Sequence, residues 1–232
     1  MLLTKSNTKL LKGETQGYRS FGVHLAPYKI SGKNMCPNAS KGCAAACLNV
    51  SGQGYYARVQ EARLKKTRYF IERREEFLQE LKKDIETSIR RAKKNNMIPC
   101  FRLNLTSDIP WENVKVEDGK SFMEIFPEVQ FYDYSKGFDR MKRFLLGEFP
   151  SNYHLTFSRS ESNRKECDDI RKLKGNIAVV FRKKLPKTYM GKRVIDGTKT
   201  DLRFLDKKNV VVGLIDIGLA KKDKTGFVVG TR

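Results

Sequence analysis

The chain has 232 residues, of which 39% are hydrophobic and 31% charged, and this balance excludes an intrinsically disordered chain. The length suits one domain with a full hydrophobic core, so residues 1–232 are predicted to form a single α/β domain. Lys and Arg number 47 against 26 Asp and Glu, and the net charge of +21 favours a polyanionic partner such as nucleic acid.

The sequence contains no candidate membrane span and no secretory signal. No apolar run approaches the ~20 residues that cross a bilayer, and the first residues lack the apolar stretch of a signal peptide. We therefore expect a cytoplasmic protein without a membrane partner. Its five cysteines are then expected to be reduced thiols, which can bind metals.

The predicted elements alternate between strands and helices. Residues 18–27 alternate in polarity and predict a first strand, which leads into a Gly- and Cys-rich loop at 31–54. Residues 57–94 contain no Gly or Pro and repeat apolar side chains at helical spacing, which predicts a long basic helix with room for one break. Further strands are predicted at 100–105, 129–134, 153–157, 176–181 and 209–215, and helices at 120–126, 138–146 and 163–173.

This alternation is typical of a parallel sheet. Six strands with helical connections predict a sheet that is either open or curled into a six-stranded partial (βα) barrel. Residues 194–232 supply the C-terminal strand and tail in this prediction. The loops at the carboxyl ends of the strands are then expected to build the functional site.

The clearest functional signal is a group of three cysteines, Cys36, Cys43 and Cys47, within twelve residues of the Gly-rich loop. A polar loop gives a thiol no core in which to be buried, so the pattern predicts thiolate ligands of zinc or of an iron–sulfur cluster. Structural zinc normally needs a fourth ligand, whereas a cluster can leave one iron open. The other candidate ligands, each expected to be a structural residue instead, are His24, His154, Cys100 and Cys167.

The pattern Cys-Pro-x5-Cys-x3-Cys after a first strand resembles the cysteine loop of radical S-adenosylmethionine enzymes, whose usual spacing is Cys-x3-Cys-x2-Cys. The resemblance implies a partial TIM barrel that carries a 4Fe-4S cluster, with S-adenosylmethionine as a cofactor.

In those enzymes polar groups at the end of the second strand contact the methionine moiety. Four residues occupy that place here, and a fifth follows another strand on the same predicted face: Asn104, Thr106, Ser107, Asp108 and Ser158. Their side chains can hydrogen-bond an ammonium and a carboxylate. The alternative is that Ser107 and Asp108 only begin a turn.

A closer resemblance, to the phage-borne gene product 88 family, runs over nearly the full length. It is carried by the cysteine loop and by Asn7-Thr-Lys-Leu10, Val59-Gln-x2-Arg63, Arg102-x5-Asp108 and Asp196-Gly-x3-Asp201-x-Arg203. The resemblance implies the same fold and metal site, in the host cytoplasm if a phage encodes the chain. It does not assign a reaction.

Two basic runs that few acidic residues interrupt are predicted to contact phosphates. Their residues are Arg90, Arg91, Lys93, Lys94, Arg182, Lys183, Lys184 and Lys187. Near the C terminus five aspartates alternate with Lys and Arg, which favours salt-bridged turns over a second metal site.

Two hypotheses follow from the sequence. The leading one is an iron–sulfur protein of phage type, radical S-adenosylmethionine-like, that acts on or near nucleic acid or nucleotides. The alternative is a non-catalytic, basic nucleic-acid-binding protein in which the same cysteines hold structural zinc. No catalytic residue and no oligomeric state can be assigned from the sequence.

Overall fold

Nine strands pair into one sheet in the computed structural model, which describes residues 1–4 and 7–230. In chain order they are β1 (Leu3–Thr4), β2 (Tyr18–Val23), β3 (Ile98–Arg102), β4 (Gln130–Ser135), β5 (Tyr153–Ser158), β6 (Ile177–Phe181), β7 (Thr188–Tyr189), β8 (Lys192–Asp196) and β9 (Val211–Ile215). Their order across the sheet is β1-β2-β3-β4-β5-β6-β9-β8-β7. The six predicted strands are therefore β2 to β6 and β9, and they lie side by side in chain order, all parallel.

The predicted six-stranded partial barrel is corrected to a nine-stranded open sheet. The two end strands, β1 and β7, each pair antiparallel with one neighbour, and the sheet does not close within the described residues. The additional strands lack the signals on which strand prediction depends. Strands β1 and β7 have two residues each, and β8 is partly exposed and rich in basic residues, so no buried apolar run marks it.

Seven α-helices occur in the described residues. They are α1 (Thr8–Leu11), α2 (Lys41–Ala45), α3 (Ala57–Glu72), α4 (Arg74–Lys94), α5 (Phe122–Ile125), α6 (Phe138–Leu145) and α7 (Arg164–Lys172). The long helix predicted at 57–94 is confirmed with one break, at Arg73, where φ of −130° and ψ of 58° leave the helical region. No helix of the described residues combines the length and apolar character needed to cross a membrane.

The main core lies between the sheet and α4. This helix buries Phe77, Leu81 and Ile85 at intervals of four, while its charged side chains face solvent. On the sheet, Phe101 pairs in register with Phe21 and Phe131, and its ring stacks on both, with centroid distances of 5.4 and 5.5 Å. These aromatic rings form the apolar platform that holds the parallel strands together.

The parallel strands all have their carboxyl ends on the same side of the sheet, which we call its carboxyl edge. The cysteine loop follows β2, residues 103–110 follow β3, and residues 159–163 follow β5 at this edge. The amino ends, where α4 leads into β3, lie at the opposite edge. The architecture therefore brings the predicted site segments to the same side of the molecule.

Replacing Phe101 tests the aromatic platform. The Phe101→Ala variant removes a ring that is 0% exposed, and we expect the free energy of unfolding to fall by about 3–5 kcal/mol. Ile98→Ala changes an exposed residue of the same strand and should cost about 1 kcal/mol or less. Urea unfolding measures both, and equal losses would show that the platform is not a main source of stability.

Candidate active site and metal centre

A cleft of about 590 Å³ opens at the carboxyl edge of the sheet. The ends of β3 to β6 and β9, the cysteine loop, residues 8–12 and part of the segment 217–227 line it. Its volume lies within the range of small-molecule binding sites. Of the charged residues that line it, five are basic and one, Asp108, is acidic. The cleft therefore suits an anionic ligand of small-molecule size.

The three cysteines of the loop line this cleft together. Cys36 precedes α2, Cys43 lies within it, and Cys47 directly follows it before a short 3-10 turn. Burial raises the pKa of Cys36 to about 11, and the nearby Asp108 carboxylate adds to this shift. Burial also raises the pKa of Cys47. Without a cation these two thiols are protonated at neutral pH, so a metal that binds here must displace protons.

The three thiols do not form a closed site for one ion in this arrangement. Within residues 1–4 and 7–230, no group of three or more His, Cys, Asp and Glu side chains is placed to hold a single metal ion. Cys100 and Cys167 are fully buried, as expected of structural cysteines, and Cys100 Sγ lies 3.0 Å from Ser20 Oγ. Burial lowers the pKa of His24 to about 3 and that of His154 to about 4, so both imidazoles are neutral at neutral pH.

Glu161, in the loop after β5, holds the cysteine loop in place. Its carboxylate accepts hydrogen bonds from Ser40 Oγ and from the backbone N–H of Gly42, both at 2.7 Å. Ser40 in turn caps α2 by accepting from the backbone N–H of Cys43 at 3.1 Å. A side chain at Gly42 would collide with Glu161 and Phe227, which explains the glycine.

A second set of buried hydrogen bonds fixes the chain after Cys47. The side-chain amides of Asn49 and Gln60 pair at 2.6 Å, and Gln60 also donates to the Asn49 carbonyl at 2.7 Å. Arg63 donates to Asn49 Oδ1 at 2.7 Å. Since Gln60 and Arg63 belong to α3, this helix positions the end of the cysteine loop.

The predicted cofactor-binding residues Asn104, Thr106, Ser107, Asp108 and Ser158 all line the cleft. The amide of Asn104, however, uses its full hydrogen-bonding capacity inside the protein. Its oxygen accepts from Ser107 Oγ and the Ile109 N–H, and its nitrogen donates to the Ile109 carbonyl and to Asp133. This side chain therefore shapes the cleft wall and has no group left for a ligand.

Asp108 and Thr106 also have partners within the protein. The Asp108 carboxylate accepts from Arg140 Nη1 at 3.0 Å and from the Lys136 N–H at 3.1 Å. Thr106 Oγ1 donates to the Leu25 carbonyl at 2.6 Å. A contact of these residues with S-adenosylmethionine stays a prediction, as it does for Ser107 and Ser158.

The lining of the cleft also includes residues of an ion cluster that the sequence did not reveal. The Asp201 carboxylate, 1% exposed, accepts from Lys9 Nζ and Arg102 Nη1, both at 2.8 Å. Tyr134 Oη donates to the same carboxylate at 3.1 Å, and Arg102 lies over the Tyr134 ring. Burial alone would raise the pKa of Asp201, but Arg102 and Lys9 overcome this and hold it at about 2, below the ordinary 3.8.

This cluster joins segments that the resemblance had picked out separately. Asn7 caps α1 by accepting from the Lys9 N–H, which places Lys9 beside Asp201. Arg102 ends β3, and Asp201 lies in the tail. No local sequence pattern pairs these residues. The only signal in the sequence was that each of them lies in a stretch that resembles the gene product 88 family.

Of the salt-bridged turns predicted for the C-terminal aspartates, the described residues contain one, between Asp206 and Arg203, whereas Asp196 and Asp223 accept hydrogen bonds from Thr198 and Thr225 instead. Asp206 pairs with Arg203 at 3.1 Å, and Asp216 pairs with Arg182 at 3.3 Å. Asp201 differs from the prediction in its partners, which come from the other end of the chain and from β3.

The two predicted nucleic-acid runs do not form one surface. The first, at 90–94, ends α4 at the amino edge of the sheet, whereas the second, at 182–187, follows β6 at the carboxyl edge. Both runs are largely exposed, but Arg182 is bound to Asp216 and to the Lys221 and Asp223 carbonyls. Only the second run shares an edge with the cleft.

Removing the Asp201 charge tests the ion cluster. In Asp201→Asn, the largely buried Arg102 and the partly exposed Lys9 lose their carboxylate, and we expect the free energy of unfolding at neutral pH to fall by about 3 kcal/mol. A carboxylate with a depressed pKa stabilises the fold above its unfolded pKa and loses this effect as pH falls. The difference between wild type and variant should therefore shrink as pH falls from 3.8 toward 2.

Urea unfolding over this pH range measures the effect. Asp118→Asn, at an exposed position, is the matched control and should stay within about 0.5 kcal/mol of wild type at every pH. A constant difference between wild type and Asp201→Asn across the range would show that the Asp201 charge does not stabilise the fold.

Comparisons with known proteins give one match. Neither the curated proteins nor the solved structures contain a match to this chain. Residues 1–230 match the family model described as gene product 88, so the match covers both the cysteine loop and the ion cluster. The chain therefore belongs to the gene product 88 family.

Proposed function

We propose that this chain is an iron–sulfur protein in which Cys36, Cys43 and Cys47 hold a 4Fe-4S cluster, and that it acts on nucleotides or nucleic acid as a radical S-adenosylmethionine-like enzyme. The observation that carries the proposal is that all three thiols line one cleft at the carboxyl ends of parallel strands. This is the edge at which α/β enzymes of related architecture build their sites.

The donor set fits a cluster better than structural zinc. A single zinc ion needs four ligands at about 2.0–2.3 Å from one point, and the described residues contain no such closed group. A cluster instead offers separate iron atoms to separate thiolates, so its ligands need not meet at one point. Three cysteines would hold three of the four irons and leave one without a cysteine ligand.

The chemistry would come mainly from the cofactors. When bound, a cluster with one open iron supplies the electron that starts radical chemistry on S-adenosylmethionine. The protein's own part is to hold the thiols in place, to shape the wall and to attract the substrate. Glu161 binds the start of α2, Asn49 fixes the chain after Cys47, and Asn104 fixes the loop after β3.

The charges around the cleft support an anionic substrate. Five of the six charged residues that line it are basic, and the exposed Lys183 and Lys184 follow β6 at the same edge. A polyanion that contacted these lysines would bind on the side of the sheet at which the cleft opens. The run at 90–94 is too far around the sheet to take part in the same contact.

Metal analysis of protein purified without oxygen tests the cluster. We expect about four irons per chain and a brown sample with broad visible absorption, and we expect both to be lost in Cys36→Ser, Cys43→Ser and Cys47→Ser. Cys100→Ser and Cys167→Ser are matched controls, because these buried thiols lie outside the cleft, and they should retain the iron.

A colourless sample that contains only zinc would overturn the cluster and support the alternative of structural zinc. Equal loss of iron in Cys100→Ser would also contradict the assignment of the ligands.

A salt series tests the nucleic-acid contact. Wild-type binding of a single-stranded oligonucleotide should weaken steeply with salt, and replacing Lys183, Lys184 and Lys187 with Gln should reduce the slope of log K against log salt by about 2. The control replaces Arg90, Arg91, Lys93 and Lys94 with Gln and should leave the slope unchanged. Binding that is absent or insensitive to salt would refute a nucleic-acid partner, and a larger loss in the control would place the contact at the other edge.

A further inference from the structure

The end of the cleft that contains the ion cluster has more positive than negative charge. Lys9, Lys12 and Arg102 line it, and we call these three residues the basic end of the cleft. Among the described residues, Asp201 is the one carboxylate that pairs with Lys9 and Arg102, while Lys12 Nζ donates to the Thr198 carbonyl at 2.8 Å. Three cations against one carboxylate leave two positive charges.

The fully buried Asp133 carboxylate also acts on Arg102 and offsets part of this excess, whereas the next two acidic groups do not. Arg203 pairs with Asp206 at 3.1 Å. Asp196 lies within electrostatic reach of Lys12, but Lys199 acts on the same carboxylate. Each of these acidic groups is thus matched by a basic group of its own.

Several donors at the basic end remain available. The Lys9 ammonium has three N–H groups and gives one to Asp201, and burial lowers its pKa although Asp201 opposes the shift. Within the part of the chain that the structure describes, Arg102 Nε is buried and has no hydrogen-bond acceptor. Buried donors of this kind normally have a partner, so the Arg102 guanidinium is incompletely paired in this arrangement.

We propose that the basic end of the cleft binds the phosphate of a phosphate monoester. A phosphate monoester carries about −1.5 to −2 charge at neutral pH, which suits a group of three cations better than the single charge of a carboxylate does. The hydroxyl of Thr8, which also lines the cleft, adds a further polar group. The rest of the molecule would extend along the cleft toward the cysteines.

This inference deepens the proposed function, since it names the substrate class of the same cleft. It does not require the cluster, because the basic end and the cysteines are separate parts of the lining. Binding can therefore be measured on wild-type protein and also on the Cys36→Ser variant. Phosphate binding by a variant that has lost its iron would separate the two claims.

Calorimetric titration at constant ionic strength tests the subsite. The probes are inorganic phosphate and the four ribonucleoside 5′-monophosphates, with the uncharged nucleosides as counterparts. We expect the monophosphates to bind at least about tenfold more tightly than the nucleosides, and Lys12→Gln to weaken their binding about tenfold or more. Lys12→Arg keeps the charge and should retain binding.

The control variant is Lys83→Gln, which removes an exposed lysine of α4 outside the cleft. Lys12 is itself exposed, so its replacement should not unfold the chain, and circular dichroism checks this. Monophosphates that bind no better than nucleosides would overturn the proposal. So would an equal loss of affinity in Lys83→Gln and Lys12→Gln.

Discussion

The buried carboxylate of Asp201 is the interaction on which the shape of the cleft depends. It binds Lys9 from the first helix and Arg102 from the end of β3, so one side chain joins the beginning, the middle and the tail of the chain. A buried charge without a partner is costly, and each of these three groups therefore requires the others. Glu161 and Asn49 likewise hold the cysteine loop in place, through hydrogen bonds. An apolar sheet thus provides the platform, and a few buried polar contacts determine which side chains face the cleft.

Much of the fold was predictable because its signals are local. The six central strands and the long helix follow from apolar spacing and from Gly and Pro boundaries, which a single segment carries by itself. Strand β8 was missed because its stability depends on pairing with β9 and not on its own composition. The ion pair between Arg102 and Asp201, 99 residues apart, has no local pattern at all. Asn104 was correctly predicted to line the cleft. Its amide, however, hydrogen-bonds to Ile109, Ser107 and Asp133 and is not free to bind a ligand.

The long gap between Cys36 and Cys43 has a structural explanation. It contains Ser40 and Gly42, the two residues that Glu161 binds, and Ser40 also caps the helix that carries Cys43. A shorter loop would lose these contacts. The gap between the first two cysteines is longer than in radical S-adenosylmethionine enzymes, and this length allows Glu161, which follows β5, to bind the loop. All three thiols still line the cleft.

The wall formed by residues 214–227 has a consequence for how the protein matures. Chains leave the ribosome from the N terminus onward, so the cysteines and the first strands emerge well before this wall does. During that interval the thiols are exposed on the side that Phe227 and its neighbours cover in the folded protein. A cofactor delivered during synthesis would meet an accessible loop, whereas one delivered later would have to enter through the cleft mouth.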